Sequence, residues 1–313
     1  LHFRRFGRIS IRPAGQGGAM LRGLVYSVIS AMAFGFLPIF GRLGYDCEMG
    51  VFEMLQYRFF FAALMLLVWF LLTQPAALKP GPRTLVKAAV LGLIFYPIQS
   101  WCFITAVRTV PAAVPTLILY FYPVMVTLLC AVIYRQPITR STVLSLVLVT
   151  LGCCLVFYEA FLMRLDATGL LLSVAAMVIF SLYLTAVQYA LKGENPLTLT
   201  FYLILFAGSV HSVLAGGPTT ILRLSPHCLG VAAGFGLVCT IIAVIFLYKA
   251  VELIGSPYTS IFSTVEPVTA VLASWLILDE PILPVSVVGM VLVIAGIILP
   301  NLHLLRIRPE VQS

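Results

Sequence analysis

The sequence predicts an all-α integral membrane protein: ten transmembrane helices arranged as two inverted five-helix repeats. Three observations carry this expectation. Hydrophobic residues make up 61% of the 313 and charged residues only 10%, where an ordinary soluble domain carries roughly 25% charged residues. Apolar runs of about 20 residues, the length a helix needs to cross the hydrocarbon core, recur along the chain. Residues 106–154 also align without a gap on residues 250–298, at an offset of 144.

The runs fall at 22–41, 54–73, 85–106, 112–134, 142–161, 168–190, 197–216, 229–250, 258–278 and 285–304. Helices fit them because a bilayer leaves no partner for open backbone groups. A barrel would instead show ten-residue alternating strands. Gly35 and Pro38 interrupt the first run and Pro97 the third. Pro115 and Pro123 lie in the fourth, and Pro257 and Pro267 bracket the ninth. These are helix-break and gating candidates. The connections "QPAALKPGPR", "RQPITR", "KGENP" and "DEPILP" are short and gather much of the Gly, Pro and charge. They leave no room for a soluble domain. The chain divides into a basic cytoplasmic tail or upstream mis-start (1–20, before or at Met20), a first repeat (21–162), a second (163–305) and a cytoplasmic tail (306–313).

The formal net charge of +8 does not describe a nucleic-acid surface, because the basic residues sit in gaps between apolar runs rather than on one face. Their distribution instead sets orientation. Alternate connections, counted from the N-terminus, hold 14 Lys and Arg; the others hold Arg42, Arg108, Arg164 and Arg223; Arg58 lies within a run. Both termini and the turn "IYRQPI" at 133–138 are therefore predicted to be cytoplasmic, and "ILDEPI" at 277–282 to face outward. The seven cysteines lack metal spacing and read mostly as small buried hydrophobes. A Cys47–Cys228 disulfide between two outer loops is compatible with this orientation.

Within the aligned segments, Pro123/Pro267, Pro137/Pro281 and Gly152/Gly296 coincide, and "GLVYSVISAMAF" from Gly23 resembles "GLLLSVAAMVIF" from Gly169. Five spans per repeat is an odd number, so the second repeat enters the membrane from the opposite side. That is the arrangement of many secondary transporters, whose substrate sites lie at matching broken helices.

With the closing "FSTVEPVTAVLASWLILDEPILPVSVVGMVLVIAGIIL" in view, the chain resembles an EamA-type member of the drug/metabolite transporter superfamily over about residues 20–304. "FEMLQYRFFFAALMLL" resembles that family's second helix with its arginine, here Arg58. The resemblance implies a ten-helix inner-membrane permease for small metabolites, often amino acids, usually moved outward. It also implies a central cavity lined by the first, third, fourth, sixth, eighth and ninth helices. The turn "YRQPIT" departs from the family by lacking an acid.

A charge inside a bilayer costs at least about 2.5–3.5 kcal/mol, so each one asks for a reason. Glu266 precedes Pro267 in the ninth run, where it reads either as a proton-titrating or amine-binding carboxylate or as a structural carboxyl beside the proline break. Its aligned partner is Tyr122. Arg58 reads as a structural charge locking helices through carbonyls, and His211 as a helix–helix hydrogen-bond partner. Tyr96, Gln99, Trp101, Tyr120, Tyr122, Tyr183, Tyr248 and Thr264 join Glu266 as substrate-path candidates, since rings with polar tips suit amphipathic metabolites. No P-loop, metal-ligand spacing or nucleophile elbow appears, so neither catalysis nor a cofactor is predicted. The expected function is a secondary transporter for a small molecule in the lipid bilayer, with proton coupling through Glu266 as an added option and no nucleic-acid partner. The alternative is a polytopic membrane enzyme or lipid-handling protein.

Overall fold

A computed structural model describes residues 16–110, 113–162, 166–217, 224–279 and 281–299. Most of the N-terminal tail, the 306–313 tail and Glu280 lie outside these residues. The described chain is helical, with no strand among its residues. In order come α1 (Gln16–Gly35), α2 (Leu37–Asp46), α3 (Val51–Thr73), α4 (Pro82–Ala89), α5 (Tyr96–Thr109), α6 (Ala113–Leu119) and α7 (Tyr122–Ile133). They are followed by α8 (Arg140–Val156), α9 (Ala167–Ala190), α10 (Pro196–Leu214), α11 (Pro226–Gly236), α12 (Ala243–Phe262), α13 (Val265–Leu278) and α14 (Pro284–Ile298). Among the described residues, seven continuous helical stretches are long and apolar enough to cross a membrane, and α8, α13 and α14 are three shorter apolar helices. The chain is thus a multi-pass membrane protein.

Loop residues fix where several helices begin. Thr139, Asp166, Asn195 and Ser225 each place a side-chain oxygen on a backbone N–H of the first turn of α8, α9, α10 and α11, satisfying donors that a helix start leaves open. At α3 the relation is reversed, and the Glu53 carboxylate accepts from the Gly50 N–H at 2.8 Å.

Packing crosses between the two parts of the chain. α1 lies along α12 and α13, while α9 lies along α5, α6 and α7; α3 packs on α10, and α8 on α14. Close approaches recur at equivalent positions. Gly92 meets α10, where a Cβ would lie 2.7 Å from the Leu203 carbonyl; Gly236 meets α3, where a Cβ would lie 2.8 Å from the Arg58 carbonyl. Those glycines are 144 residues apart, the offset of the sequence repeat. Gly23 and Gly169, which open the two similar segments, rest against Ile254 and Val110 respectively; Val110 and Ile254 are 144 residues apart.

Two ties, one polar and one covalent, hold opposite ends of the bundle. At one end Lys87 pairs with Glu194 at 2.7 Å, and the Thr84 hydroxyl donates to the same carboxylate at 2.5 Å, joining α4 to the α9–α10 connection. Donation from Lys87 first, and from Thr84 next, holds the Glu194 carboxyl below its ordinary range. A depressed folded-state value stabilises the protein above the ordinary carboxylate range, and that stability is lost as pH falls through the folded value. Glu194→Gln is expected to remove this acid-side dependence while costing no more than about 1 kcal/mol at neutral pH. Thermal midpoints measured from neutral pH down through the carboxylate range check it.

At the other end Cys47 and Cys228 form a disulfide. This is the pair that the sequence left open as a bridge between two outer loops, 181 residues apart. The five others are free thiols, four of them buried, which is the setting of small hydrophobes.

Candidate functional site

Five interruptions shape the interior. α1 gives way to α2 at Gly35 and Phe36, with Pro38 in the first turn of α2. Between α6 and α7 the helix breaks at Tyr120 and Phe121, with Pro123 in the next turn; Pro115 lies buried in α6. Between α12 and α13 it breaks at Ser263 and Thr264, with Pro267 in the next turn. These last two breaks fall at the same place in the repeat, to within one residue. Two π-helical turns, Val90–Phe95 and Leu237–Ile242, interrupt the third and eighth runs.

The π turns have different causes. Pro97 has no N–H, and its ring excludes the carbonyl four residues back, so the preceding ladder shifts register. No proline follows the second π turn. There the Arg58 guanidinium donates to the Cys239 carbonyl and, at 2.6 Å, to the Thr240 hydroxyl. Arg58 is 3% exposed and also lies over the Phe59 and Phe235 rings. Arg58→Leu leaves the carbonyl and hydroxyl undonated and is expected to cost about 1–3 kcal/mol. Thermal unfolding in detergent reads this, and Arg58→Lys should recover only part, because an ammonium lacks the planar fork.

A further break lies inside α12. Gly255 sits at φ 78°, ψ 164°, backbone that side chains resist. Pro257 restarts the helix beyond it. Gln188 of α9 holds the break by accepting the Ser256 N–H at 2.7 Å, while the Ser256 hydroxyl donates to the Leu184 carbonyl at 2.7 Å. Gln188 is a polar side chain in an apolar run, but its partner is a backbone group, which leaves no signal in the sequence.

Around these breaks the structure gathers most of the substrate-path candidates. A chain of rings runs from His211 through Tyr96, Tyr183 and Phe180 to Tyr122, with centroids 5.0–6.4 Å apart. The Tyr183 and Tyr248 hydroxyls meet at 2.8 Å, and the Tyr122 hydroxyl reaches the Ser260 carbonyl at 3.3 Å. Tyr120 stacks on Phe157, and its side chain lies close enough to the Glu266 carboxyl for the two to interact. Thr264 is fully buried and bonds its own chain at Ile261. Glu266 occupies the first turn of α13, where the helix N-terminus favours a negative charge. It is only half-buried although Tyr120, Tyr122, Thr264 and Pro267 around it are buried. No ion pair to it occurs among the described residues.

One candidate is placed elsewhere. Trp101 is 53% exposed on the outside of α5 and joins none of these contacts; in an all-apolar run, the sequence does not reveal which face turns inward. Gln99 is half-buried on the same helix, three residues after Tyr96. His211 is buried as expected, but its Nδ1 bonds Ala207 of its own helix at 2.7 Å rather than a neighbouring one.

A cavity of about 250 Å³ opens between the turn at Gln136–Thr139 and the α12 break, lined also by Thr127, Ile254 and Tyr258. Its inner wall includes Thr127, one turn from Pro123. At the opposite end Phe40 stacks on Phe235 at 5.6 Å beside the Cys47–Cys228 bond.

Comparison with known proteins places this architecture. A family model described as the EamA-like transporter family matches residues 21–158 and again 167–302. A Bacillus subtilis protein described as the uncharacterized transporter YwfM is 26% identical over 240 residues, covering 76% of this chain and 79% of its own. The uncharacterized transporter YyaM of the same organism is 22% identical over 250 residues, covering 77% and 81%. An uncharacterized transporter of Archaeoglobus fulgidus is 25% identical over 191 residues, covering 60% and 67%. One solved crystal structure superposes with a TM-score of 0.71 at 15% identity, over 92% of this chain and 99% of that one, which speaks to fold alone. Matched twice along nearly its whole length, this chain belongs to the EamA-like transporter family and is a membrane transporter.

Proposed function

We propose that the protein is a secondary transporter of the bacterial inner membrane that moves small amphipathic metabolites, amino acids or related compounds, by alternating access. In this reading ten transmembrane helices form two inverted five-helix repeats, 21–162 and 163–305, with both termini cytoplasmic. The observation that carries it is the pair of helix breaks at Tyr120–Phe121 and Ser263–Thr264. They occupy equivalent positions in the two parts of the chain, and Tyr120 from one reaches Glu266 beside the other. Broken helices meeting at mid-span are where inverted-repeat transporters hold substrate.

The proposed orientation has independent support. The disulfide suits an oxidising compartment, and it lies at the end opposite the turn that carries Arg135 and Arg140. The cavity beside Gln136 opens on that arginine-bearing end, which supports reading this end as the inward-facing one. Gly35, Pro38, Pro97, Pro115, Pro123, Pro257 and Pro267 then mark the places where helix segments reorient. Proton coupling through Glu266 is part of the proposal.

Uptake and counterflow in proteoliposomes against amino acids, nucleosides and amphipathic drugs test the transport reading. Movement of at least one class against a counter-gradient is expected. No movement of any would favour an enzyme or lipid-handling protein instead. The coupling proposal fails if Glu266→Gln leaves the pH dependence of transport unchanged.

A further inference from the structure

We infer that the cavity between the connections "QPAALKPGPR" and "KGENP" binds the headgroup of an anionic phospholipid, a phosphate diester with a hydroxylated head such as phosphatidylglycerol. The site lies apart from the interior helix breaks. It stands on the chain being a membrane protein, not on the transport reading above.

A cavity of about 600 Å³ opens between the segment that follows α3 and the start of α10, within the roughly 300–1,000 Å³ of sites that take small molecules. Its walls come from both parts of the chain: Gln74, Lys79 and Thr84 on one side, Glu194, Asn195 and Thr198 on the other. Three bonds fix these walls against each other. The Tyr202 hydroxyl of α10 donates to the Leu78 carbonyl at 2.9 Å, and Lys87 and Thr84 both donate to Glu194. The walls are thus held without a ligand.

What the lining offers is mostly donors. Glu194, the one carboxylate of the lining, has both oxygens occupied, Oε1 by Lys87 and Oε2 by Thr84. Lys79 pairs with no carboxylate among the described residues. Asn195 commits its side-chain oxygen to the Leu197 N–H at 2.9 Å, which leaves its amide NH2 to donate. Thr198 is 6% exposed and lines the cavity, yet its hydroxyl makes no hydrogen bond among the described residues. A buried hydroxyl of this kind needs a partner, and a ligand oxygen supplies one. Asn195 caps α10 and Thr198 stands in its first turn, where open N–H groups and the helix dipole favour negative charge. Arg83 lies close enough for its charge to act on Glu194. With Lys87 and Glu194 cancelling, Lys79 and Arg83 leave the place net positive, the setting for a phosphate.

A lipid, rather than a free phosphate, follows from what adjoins Thr73, another lining residue. Trp69, Leu71 and Leu72 at the end of α3 are 53%, 59% and 79% exposed, an apolar ledge for acyl chains. The Thr73 hydroxyl donates to the Trp69 carbonyl at 2.7 Å, so the ledge and the cavity share a helix end. Tryptophan is enriched at the level of the headgroups, and basic pockets between membrane helices take anionic lipid headgroups.

The test uses the full-length chain purified in a neutral detergent and washed free of lipid, with three probes: phosphatidylglycerol, phosphatidylcholine of the same acyl chains, and glycerol 3-phosphate. Binding is read by thermal stabilisation and by lipid retained in native mass spectrometry. Phosphatidylglycerol is expected to raise the unfolding midpoint and to be retained, and the other two are not. Lys79→Gln should weaken phosphatidylglycerol about fivefold, the contribution of one lysine beside an anionic lipid, and Lys79→Arg should keep most of the affinity. Thr198→Val should weaken it too, while Thr198→Ser retains it and shows that the site is still folded. Arg140→Gln, at a cation outside the cavity lining, should leave it unchanged. The inference is overturned if phosphatidylcholine or glycerol 3-phosphate stabilises as well as phosphatidylglycerol, or if phosphatidylglycerol does not bind. It also fails if Lys79→Gln leaves the affinity unchanged, or if Arg140→Gln weakens it as much as Lys79→Gln, which would make the attraction one of general surface charge.

Discussion

Replacing Glu266 with Gln is expected to lower kcat/KM for transport by about 10- to 100-fold, the loss of a charge-assisted contact of about 1.5–3 kcal/mol. On the proposed reading the change should appear mainly in affinity, because Gln keeps the size and hydrogen-bonding reach of Glu while removing its charge. Tyr120→Phe removes only the neighbouring hydroxyl and is expected to have a smaller effect, under about tenfold. Flux at saturating and subsaturating substrate in proteoliposomes distinguishes the two. If both variants matched the wild type, Glu266 would be a structural carboxyl beside Pro267.

The second large effect is on stability. α8 and α14 cross with backbones nearly touching: a Cβ on Gly289 would lie 2.6 Å from the Gly152 carbonyl oxygen and from the Val156 nitrogen. Neither is a flexible side chain that could swing away. Gly296 approaches Leu148 and Val149 in the same way, with its Cβ 2.7 Å from the Leu148 Cβ. Gly289→Ala must therefore push the helices apart, which also strains the Ser286 hydroxyl bond to the Val156 carbonyl. A cost of about 1–3 kcal/mol or more is expected, seen as a lower unfolding midpoint and reduced yield. Gly230→Ala in α11 serves as the control, since its Cβ would meet nothing within 4 Å. Helix propensity alone should there give a gain of up to about 1 kcal/mol. Equal behaviour of the two variants would mean that the α8–α14 crossing is not as tight as described.

These two sites illustrate what the sequence makes readable. Gly152 and Gly296 stood out as a repeated pair, and the structure explains the pairing: both sit where α8 and α14 approach. The breaks at Gly35, Pro123 and Pro267 were also readable, because glycine and proline mark backbone directly. Glu266 announced itself through the cost of charge in an apolar run. What stayed hidden depends on facing and on partners. In a run that is apolar on every side, periodicity does not say which ring turns inward, so Trp101 was grouped with Tyr96 although it lies outside. The second π turn has no proline just after it and is completed by an arginine 181 residues away. The role of Gln188 requires the Ser256 N–H. Each of these is a tertiary contact between segments that carry no shared pattern.

The inverted arrangement is what the account rests on, and topology tests it most directly. Single cysteines placed at Gln136 and at Asp279, in a chain otherwise free of reactive thiols, can be labelled with a membrane-impermeant maleimide in vesicles of known orientation. The account predicts labelling from opposite faces: Gln136 from the face bearing the termini, Asp279 from the other. Labelling of both from one face would contradict it.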